Sequence, residues 1–521
     1  MTSFNLADLF ERVADAIGDR EAVVCGERRL TFAQLDERAT RLAHVLAGRG
    51  IGPGDHVGLH LYNSTEYLEG MLAAFKLRAV PVNVNYRYVA DELRYLFDDA
   101  DVGCVIHEED LRPVVDGVRR QVPSLRHTIA RGDEYEALLA AAPSARTFAP
   151  RSGDDLYILY TGGTTGRPKG VMWRHEDVFA AAFGGEGLET PDEVVARART
   201  GRTRCLTSCP FMHGTAHWMA FSTLYAGGTV VVAPGPRLDP DAIWDLVEAE
   251  EVTYLVIVGD AFALPLVEAL GRDSAQRWDL SSLTAVLSGG AILSPAVKNL
   301  LLERLPGVIV VDGFGASETG GQGQMVAAPG VPVSGRPRFR MGADTFVVDD
   351  SLRPVTPGSG TVGRVARRGH VPLGYYNDPA KSAATFPVVD GQRLAVVGDL
   401  ATVDRDGTVV LLGRGSMAIN SGGEKVFPEE VESSLKAHPS VFDAIVVGVA
   451  DERWGQRVTA VVSLRPGAVE PTLDELADHC RATLAGFKVP RSVVVVPTIV
   501  RSPSGKPDYR WARDQVDRAR A

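Results

Sequence analysis

The chain offers no clean run of apolar residues long enough to span a bilayer. One extended stretch without Asp, Glu, Lys or Arg, Cys205 to Pro236, is broken by Pro210, Gly214, Gly227 and Gly228 and carries two histidines. It reads as buried core beside a pocket rather than as a membrane helix. Met1 to Ile17 lacks the basic start and apolar block of a signal peptide; it carries acids and sets Leu6, Leu9, Phe10, Val13 and Ile17 at helical spacing. Cysteine is scarce, five in 521 residues, and no second Cys or His pair completes a zinc set with Cys205 and Cys209. Buried free thiols and a reducing cytoplasm are therefore expected. Positive charge is in deficit: 55 Lys and Arg against 66 Asp and Glu leave a net charge of −11, which argues against a nucleic-acid-binding surface. Local basic loops can still hold phosphates. Repeats, coiled-coil heptads and low-complexity tracts are absent too.

What is present is alternation. Glu21 to Leu30 suggests a hairpin around Gly26-Glu27, and Thr31 with Gln34 forms a capping-box pattern before an amphipathic helix. Val57 to Leu61, Thr65 to Leu77 and Val80 to Val82 read as strand, helix and strand. Thr253 to Val258, Thr284 to Leu287 and Val308 to Val311 are short buried-strand candidates. Such βαβ order implies an α/β fold with parallel sheets covered by helices. From about Gly335 to Leu412 short β-prone runs with Gly, Pro and Asp-Gly turns suggest a β-rich subdomain. After Gly413 the texture changes again, with a helix start at Pro428-Glu429-Glu430, strands at Ala444 to Val449 and Ser492 to Pro497, and a helix at Thr472 to Leu484. A boundary near 412–417 follows, giving domains 1–413 and 414–521.

The most telling run is Thr161-Gly162-Gly163-Thr164-Thr165-Gly166-Arg167-Pro168-Lys169-Gly170, directly after the β-prone Leu156 to Tyr160. Glycines let backbone N–H groups converge on an anion, threonine hydroxyls add donors, and Lys169 adds a point charge. The spacing is not that of a Walker loop, because Pro168 precedes the lysine and Gly170 follows it. Gly313-Phe314-Gly315-Ala316-Ser317-Glu318-Thr319 follows Asp312 at the carboxyl end of a strand candidate, where ligands of α/β sheets sit. Phe314 offers a stacking face, and Glu318 a hard oxygen for Mg²⁺. A helix N-cap with a first-turn acid is the plainer reading of that segment. Read without context, Lys506 in Ser502-Pro503-Ser504-Gly505-Lys506 is a solvated lysine after a turn.

These motifs, in this order, resemble the adenylate-forming (ANL) superfamily of acyl-CoA synthetases, peptide-synthetase adenylation domains and firefly-type luciferases, over nearly the whole chain. The resemblance implies a large N-terminal domain with two helix-flanked, mainly parallel sheets plus the β-rich subdomain, and a small mobile α+β C-terminal domain. It implies ATP on Thr161 to Gly166 and Lys169, adenine between Gly289-Gly290-Ala291 and the Asp312 to Gly315 segment with Ser317 beyond it, and Mg²⁺ at Glu318 with Thr161 nearby. Ribose falls to Asp399 and Arg414, although Val396-Val397 replaces the family's usual Arg-Thr before Gly398. Coenzyme A falls to Gly422, Gly423, Glu424 and Lys425. The acyl pocket would be lined by His213, Trp218, Val258, Gly290 and Gly315. His213 could equally be a buried histidine with a backbone partner. Lys506 matches the superfamily's C-terminal lysine, a cation for the charge that gathers between carboxylate and α-phosphate. The hinge position is Met417, with Gly415 a source of backbone freedom.

The implied activity is acyl-adenylate formation followed by thioester formation with CoA. No aspartate follows Pro210 through Trp218 to hold an amino group, so an uncharged acyl chain is favoured. Gly413 to Ser416 and Val171 to Asp177 look most like actinobacterial long-chain fatty acid and steroid- or terpenoid-acid CoA ligases. Alternatives are a stand-alone enzyme that loads a separate carrier protein, a luciferase-like oxidase and a non-catalytic nucleotide sensor. The resemblance leaves a homodimer open.

Overall fold

The computed structural model describes residues 4–162, 167–271, 277–421, 424–451, 454–502 and 505–520. Gly163, Thr164, Thr165, Gly166, Gly422 and Gly423, all expected to bind ligand, lie outside them. The hairpin Glu21–Cys25/Arg28–Thr31 forms, and the next helix starts where expected. Thr31 accepts the Gln34 backbone N–H while the Gln34 side chain accepts the Thr31 N–H, the full capping box.

Among the described residues three large sheets carry the chain. One holds seven strands; its parallel part joins His56–His60, Val80–Asn83, Val102–His107 and Leu156–Thr161, and Leu156–Thr161 then pairs antiparallel with Lys169–Arg174. A second runs to thirteen strands. Its parallel core includes Arg204–Thr207, Tyr254–Ile257, Ala285–Gly289 and Ile309–Ala316, reading in that order across the sheet. The β-rich segment does not stand apart. Arg338–Met341 pairs with Gly320–Ala327, so the antiparallel strands Thr345–Val348, Gly363–Arg367, Ala395–Val403 and Val409–Arg414 extend the same sheet. The last sheet, of five strands, starts at Ile419–Ser421 and packs helices Pro428–Lys436, Leu473–Arg481 and Tyr509–Arg520.

Helices fill the sheet faces because their apolar stripes have nowhere else to go. Phe75, Phe179, Phe183, Phe221 and Tyr225 meet between the two larger sheets. The uncharged stretch supplies the strand Thr229–Val232 and the helix Gly214–Tyr225. Four of the five cysteines are buried thiols; Cys25 is half-buried. No helix among the described residues is long and apolar enough to cross a membrane.

One expectation needs correction. The Asp312 to Ala316 segment is not a loop beyond a short strand, nor the start of a helix. The strand runs on through Ile309–Ala316 and turns at Ser317-Glu318-Thr319 into the antiparallel Gly320–Ala327. Glycine permits this for a steric reason: a Cβ on Gly315 would lie 2.3 Å from the Gly320 carbonyl oxygen. That glycine therefore serves the hairpin partner, whatever else its face admits.

Candidate active site

The glycine–threonine run follows Leu156–Thr161 in the sequence, and that strand pairs antiparallel with Lys169–Arg174. Thr161 and Lys169 are register partners of these strands, and the Lys169 ammonium is held by the Asp378 carboxylate above the Tyr375 ring. Tyr95 and Tyr160 buttress the base: the Tyr95 hydroxyl donates to the Pro168 carbonyl at 3.2 Å, and the Tyr160 hydroxyl to Asp99 at 2.8 Å.

Glu318 sits on the turn of the neighbouring hairpin, and its Oε1 accepts the Tyr375 hydroxyl at 2.9 Å. Tyr375 thus spans the two hairpins. The Trp173 indole donates to the Ser317 carbonyl at 3.0 Å and fixes the turn against the strand that bears Lys169. Asp399 and Arg414 are register partners on adjacent antiparallel strands, with the guanidinium Nε 3.3 Å from the Asp399 carboxylate. Neighbouring carboxylates of Asp399, Glu318 and Glu429 outweigh the burial that would otherwise lower the Arg414 pKa.

Lys506 enters from the C-terminal sheet. Burial and the Arg414 charge depress its pKa, while Glu318 and Asp399 act the other way, so all four side chains share one electrostatic neighbourhood. The turn that bears it is closed by Ser502 and Lys506 backbone bonds, and Gly505 adopts φ +73°. A Cβ on Gly505 would lie 3.2 Å from the Val258 carbonyl oxygen, so the small sheet's turn rests directly on the larger sheet. His213 precedes the helix Gly214–Tyr225 without a side-chain capping bond and is pushed down to about 3 by burial first and by Lys506 next. It stands neutral, and its Nε2 has no partner among the described residues.

The expected acyl-pocket residues partly converge. Gly290, at φ +88°, leaves its missing Cβ position 3.0 Å from Thr215 Oγ1 and 3.8 Å from Val258 Cγ1. Gly289 pairs with Gly313 across parallel strands, and Ala291 packs against the core. Trp218 Nε1 donates to the Tyr157 hydroxyl at 2.9 Å; that hydroxyl donates to His217 Nε2 at 2.5 Å, because His217 Nδ1 is committed to the Phe211 carbonyl at 2.7 Å. This wall is polar but internally satisfied. Other expected residues point elsewhere. The Asp312 carboxylate is buried on Lys298 at 2.6 Å, and Phe314 packs on Phe339 with centroids 5.5 Å apart. Glu424 and Lys425 are exposed on a short hairpin. Next to Arg414, Gly413 adopts φ +126° and Gly415–Met417 form a single 3-10 turn; Met417 packs against the C-terminal core.

Sequence reasoning missed Tyr375, Asp378 and Thr215. Thr215 was within reach, since it follows His213 in the first turn of a helix. Nothing local marks Tyr375 or Asp378, which meet Glu318 and Lys169 only through tertiary packing.

The chain as a whole is similar to known proteins. Residues 10–376 match the family described as AMP-binding enzyme, and residues 430–506 match the AMP-binding enzyme C-terminal domain. The chain belongs to the AMP-binding enzyme family. It is 46% identical to a 3-oxocholest-4-en-26-oate–CoA ligase of Rhodococcus rhodochrous, with 99% of this chain and 96% of that one covered. It is 45% identical, over the same shares, to a medium/long-chain-fatty-acid–CoA/3-oxocholest-4-en-26-oate–CoA ligase of Mycobacterium tuberculosis strain H37Rv. Among solved structures it is similar to the anthranilate CoA ligase AuaEII in complex with anthranoyl-AMP, at 25% identity and a TM-score of 0.86, covering 100% of this chain and 99% of that one.

Proposed function

We propose that the chain is an AMP-forming acyl-CoA synthetase for long or bulky apolar carboxylic acids, with 1–413 as the nucleotide-binding part and 414–521 as the mobile part. The observation that supports the reading is that Lys506, carried by a turn of the small part that rests on Val258, lies within electrostatic reach of Glu318, Asp399 and Arg414. A carboxylate is a poor acyl donor because its leaving group would be oxide. Its oxygen attacks the α-phosphorus of ATP, that P–O bond forms, and pyrophosphate leaves with the electron pair. The product is a mixed anhydride. A CoA thiol then attacks the carbonyl carbon, loses its proton, and AMP departs.

Catalysis of the first step is positioning and charge neutralisation. Lys506 would bridge the carboxylate and α-phosphate oxygens; Lys169 would release Asp378 to meet the outer phosphates; Asp399 and Arg414 would hold the ribose hydroxyls. Glu318 spends one oxygen on Tyr375, and among the described residues the other is free for Mg²⁺, which when bound would neutralise phosphate charge. Neutral His213, Trp218, Val258 and Gly290 would line the acyl path, a lining without fixed charge that suits an apolar acid. The two relatives' names point to the same class, and a cytoplasmic site of action completes the reading. The test is a panel of fatty, aromatic and polycyclic acids, each scored for acid-dependent ATP–pyrophosphate exchange and for thioester formed on CoA or on a phosphopantetheinylated carrier. Long-chain or polycyclic acids on CoA are expected to lead. Preference for acetate or benzoate refutes the substrate class, and preference for the carrier refutes the acceptor.

A further inference from the structure

A buried file of ionised side chains crosses from the thirteen-strand sheet to the C-terminal one. Asp260, the second residue of the helix Gly259–Gly271, accepts the Ser294 backbone N–H on Oδ1 and the Lys436 ammonium on Oδ2, both at 2.7 Å. The two charged side chains are 3% and 6% exposed. Lys436 ends the helix Pro428–Lys436 of the small part. Beside it, Arg501 grips Asp443 with bonds of 2.6 and 2.8 Å and donates a third to the Gly505 carbonyl at 3.3 Å. Gly505 in turn lies against Val258 and Ala261. The short segment 258–261 therefore receives the Lys506 turn on one side and Lys436 on the other.

We propose that the Asp260–Lys436 pair is the latch that selects the arrangement in which Lys506 is inserted, and that it acts on adenylate formation and not on thioester formation. It rests on the two-step reading above. Neither residue touches reacting atoms; both are positioning residues.

The argument is about discrimination rather than strength. Two charges taken out of water recover in mutual attraction about what they lose in hydration, so a buried pair adds little net stability. Removing one partner is another matter, because it leaves the other charge buried and unmatched. Such a pair tolerates one relative placement of the two parts and penalises small departures from it. On rotation both groups return to water and recover their hydration, so release costs little. An interface that must form and break in each turnover needs that combination. Two further contacts across this junction, among the described residues, are less exacting: Arg336 with Glu430 is partly exposed, and Phe442 makes a non-directional apolar contact. Lys436 also feels Glu432, Asp443 and Arg501, but against burial the Asp260 carboxylate is the largest single charge effect that favours its ammonium.

The experiment compares Asp260→Asn, Lys436→Met and the double variant with the unaltered enzyme. Asn keeps the acceptor for the Ser294 N–H, and the double variant leaves neither charge. Each single variant is expected to lower acid-dependent pyrophosphate exchange about tenfold or more, while conversion of supplied acyl-adenylate and CoA to thioester holds. The double variant is expected to recover most of the exchange. Domain placement is read separately, from spin labels on Asp192→Cys and Val469→Cys in a Cys25→Ser background, since both labelled positions are exposed. The single variants should broaden the distance distribution, and the double variant should narrow it again. Equal loss in both half-reactions with lowered thermal stability, unchanged exchange, or an unchanged distance distribution would each overturn the latch. An unaltered enzyme silent with every acid would instead refute the functional reading, and the distances would still decide the latch.

Discussion

Removing one oxygen atom tests how Glu318 is held. Tyr375 donates its hydroxyl to Glu318 Oε1 at 2.9 Å, its ring packs on Phe386 at 5.5 Å, and the residue is 6% exposed. Tyr375→Phe keeps the ring and its packing and deletes the hydroxyl, which also bonds the Thr385 side chain. A hydrogen bond to an ionised group contributes about 1.5–3 kcal/mol. The carboxylate is also the candidate metal ligand, so losing its orientation should be felt when charge develops on the phosphates. At about 1.4 kcal/mol per factor of ten, kcat/KM for the first half-reaction should fall roughly ten- to a hundredfold. The apparent Mg²⁺ requirement should rise with it, because a wandering carboxylate binds a cation less well. Pyrophosphate exchange measured across a Mg²⁺ series reads both quantities, and thermal unfolding checks that the fold survives. If Tyr375→Phe exchanges pyrophosphate at the unaltered rate with an unaltered Mg²⁺ dependence, Glu318 does not act where its position suggests.

Other expectations follow from the same geometry. Lys506→Ala should abolish pyrophosphate exchange yet still convert supplied acyl-adenylate to thioester, and equal loss in both assays would contradict its role. Asp378→Asn should lower the KM for ATP and Lys169→Met should raise it, each by a few fold, since a half-exposed ion pair contributes only about 0–1 kcal/mol. Burial depresses His60 to about 3 and His175 and His217 to about 4, so between those values and 6.5 the unfolded chain binds more protons than the folded one. Their stabilising contribution is full above about pH 6.5 and is lost as pH falls, by up to about 4 kcal/mol per pH unit if all three titrate together; a midpoint temperature unchanged between pH 7.5 and 5 would refute this. Burial, with Glu432 next to it, lifts Glu429 to about 7 where it faces Gly413, so ionisation above neutrality should work against the inserted arrangement, and Glu429→Gln should flatten the decline of adenylation from pH 6.5 to 8.5.

Much of the scaffold could be read from local sequence. The hairpin at Gly26, the capping box at Thr31 and the short strands around residues 57, 82, 255 and 286 are fixed by neighbours in the chain, and they appear within a residue or two of where patterning puts them. The segment 312–316 escaped because glycine weakens any strand signal; only its pairing with Gly289 on one side and Gly321 on the other makes it extended. Asp312 and Phe314 escaped for a related reason. A motif gives the residue type but not the direction in which the side chain leaves the strand, and here Lys298 and Phe339 take them.

The same reasoning explains why Lys506, on which the proposed mechanism leans most, is the hardest to recognise without a family. Lys506 lies in a turn with no apolar pattern, and its charged neighbours come from remote segments: Glu318 from one hairpin, Asp399 and Arg414 from another, with Val258 beneath its turn. A cation needed in one step and unwanted in the next is better carried on a part that can leave than on the rigid sheet that holds the nucleotide. That places it on the small C-terminal sheet and requires the junction to define one docked pose without binding tightly. On the proposed mechanism a buried pair such as Asp260 with Lys436 would do so, whereas an extended apolar interface of equal specificity would hold the parts together through the second step. The contact that positions the lysine is therefore expected to be ionic and buried, and measurable more clearly in the ratio of the two half-reactions than in the stability of the fold.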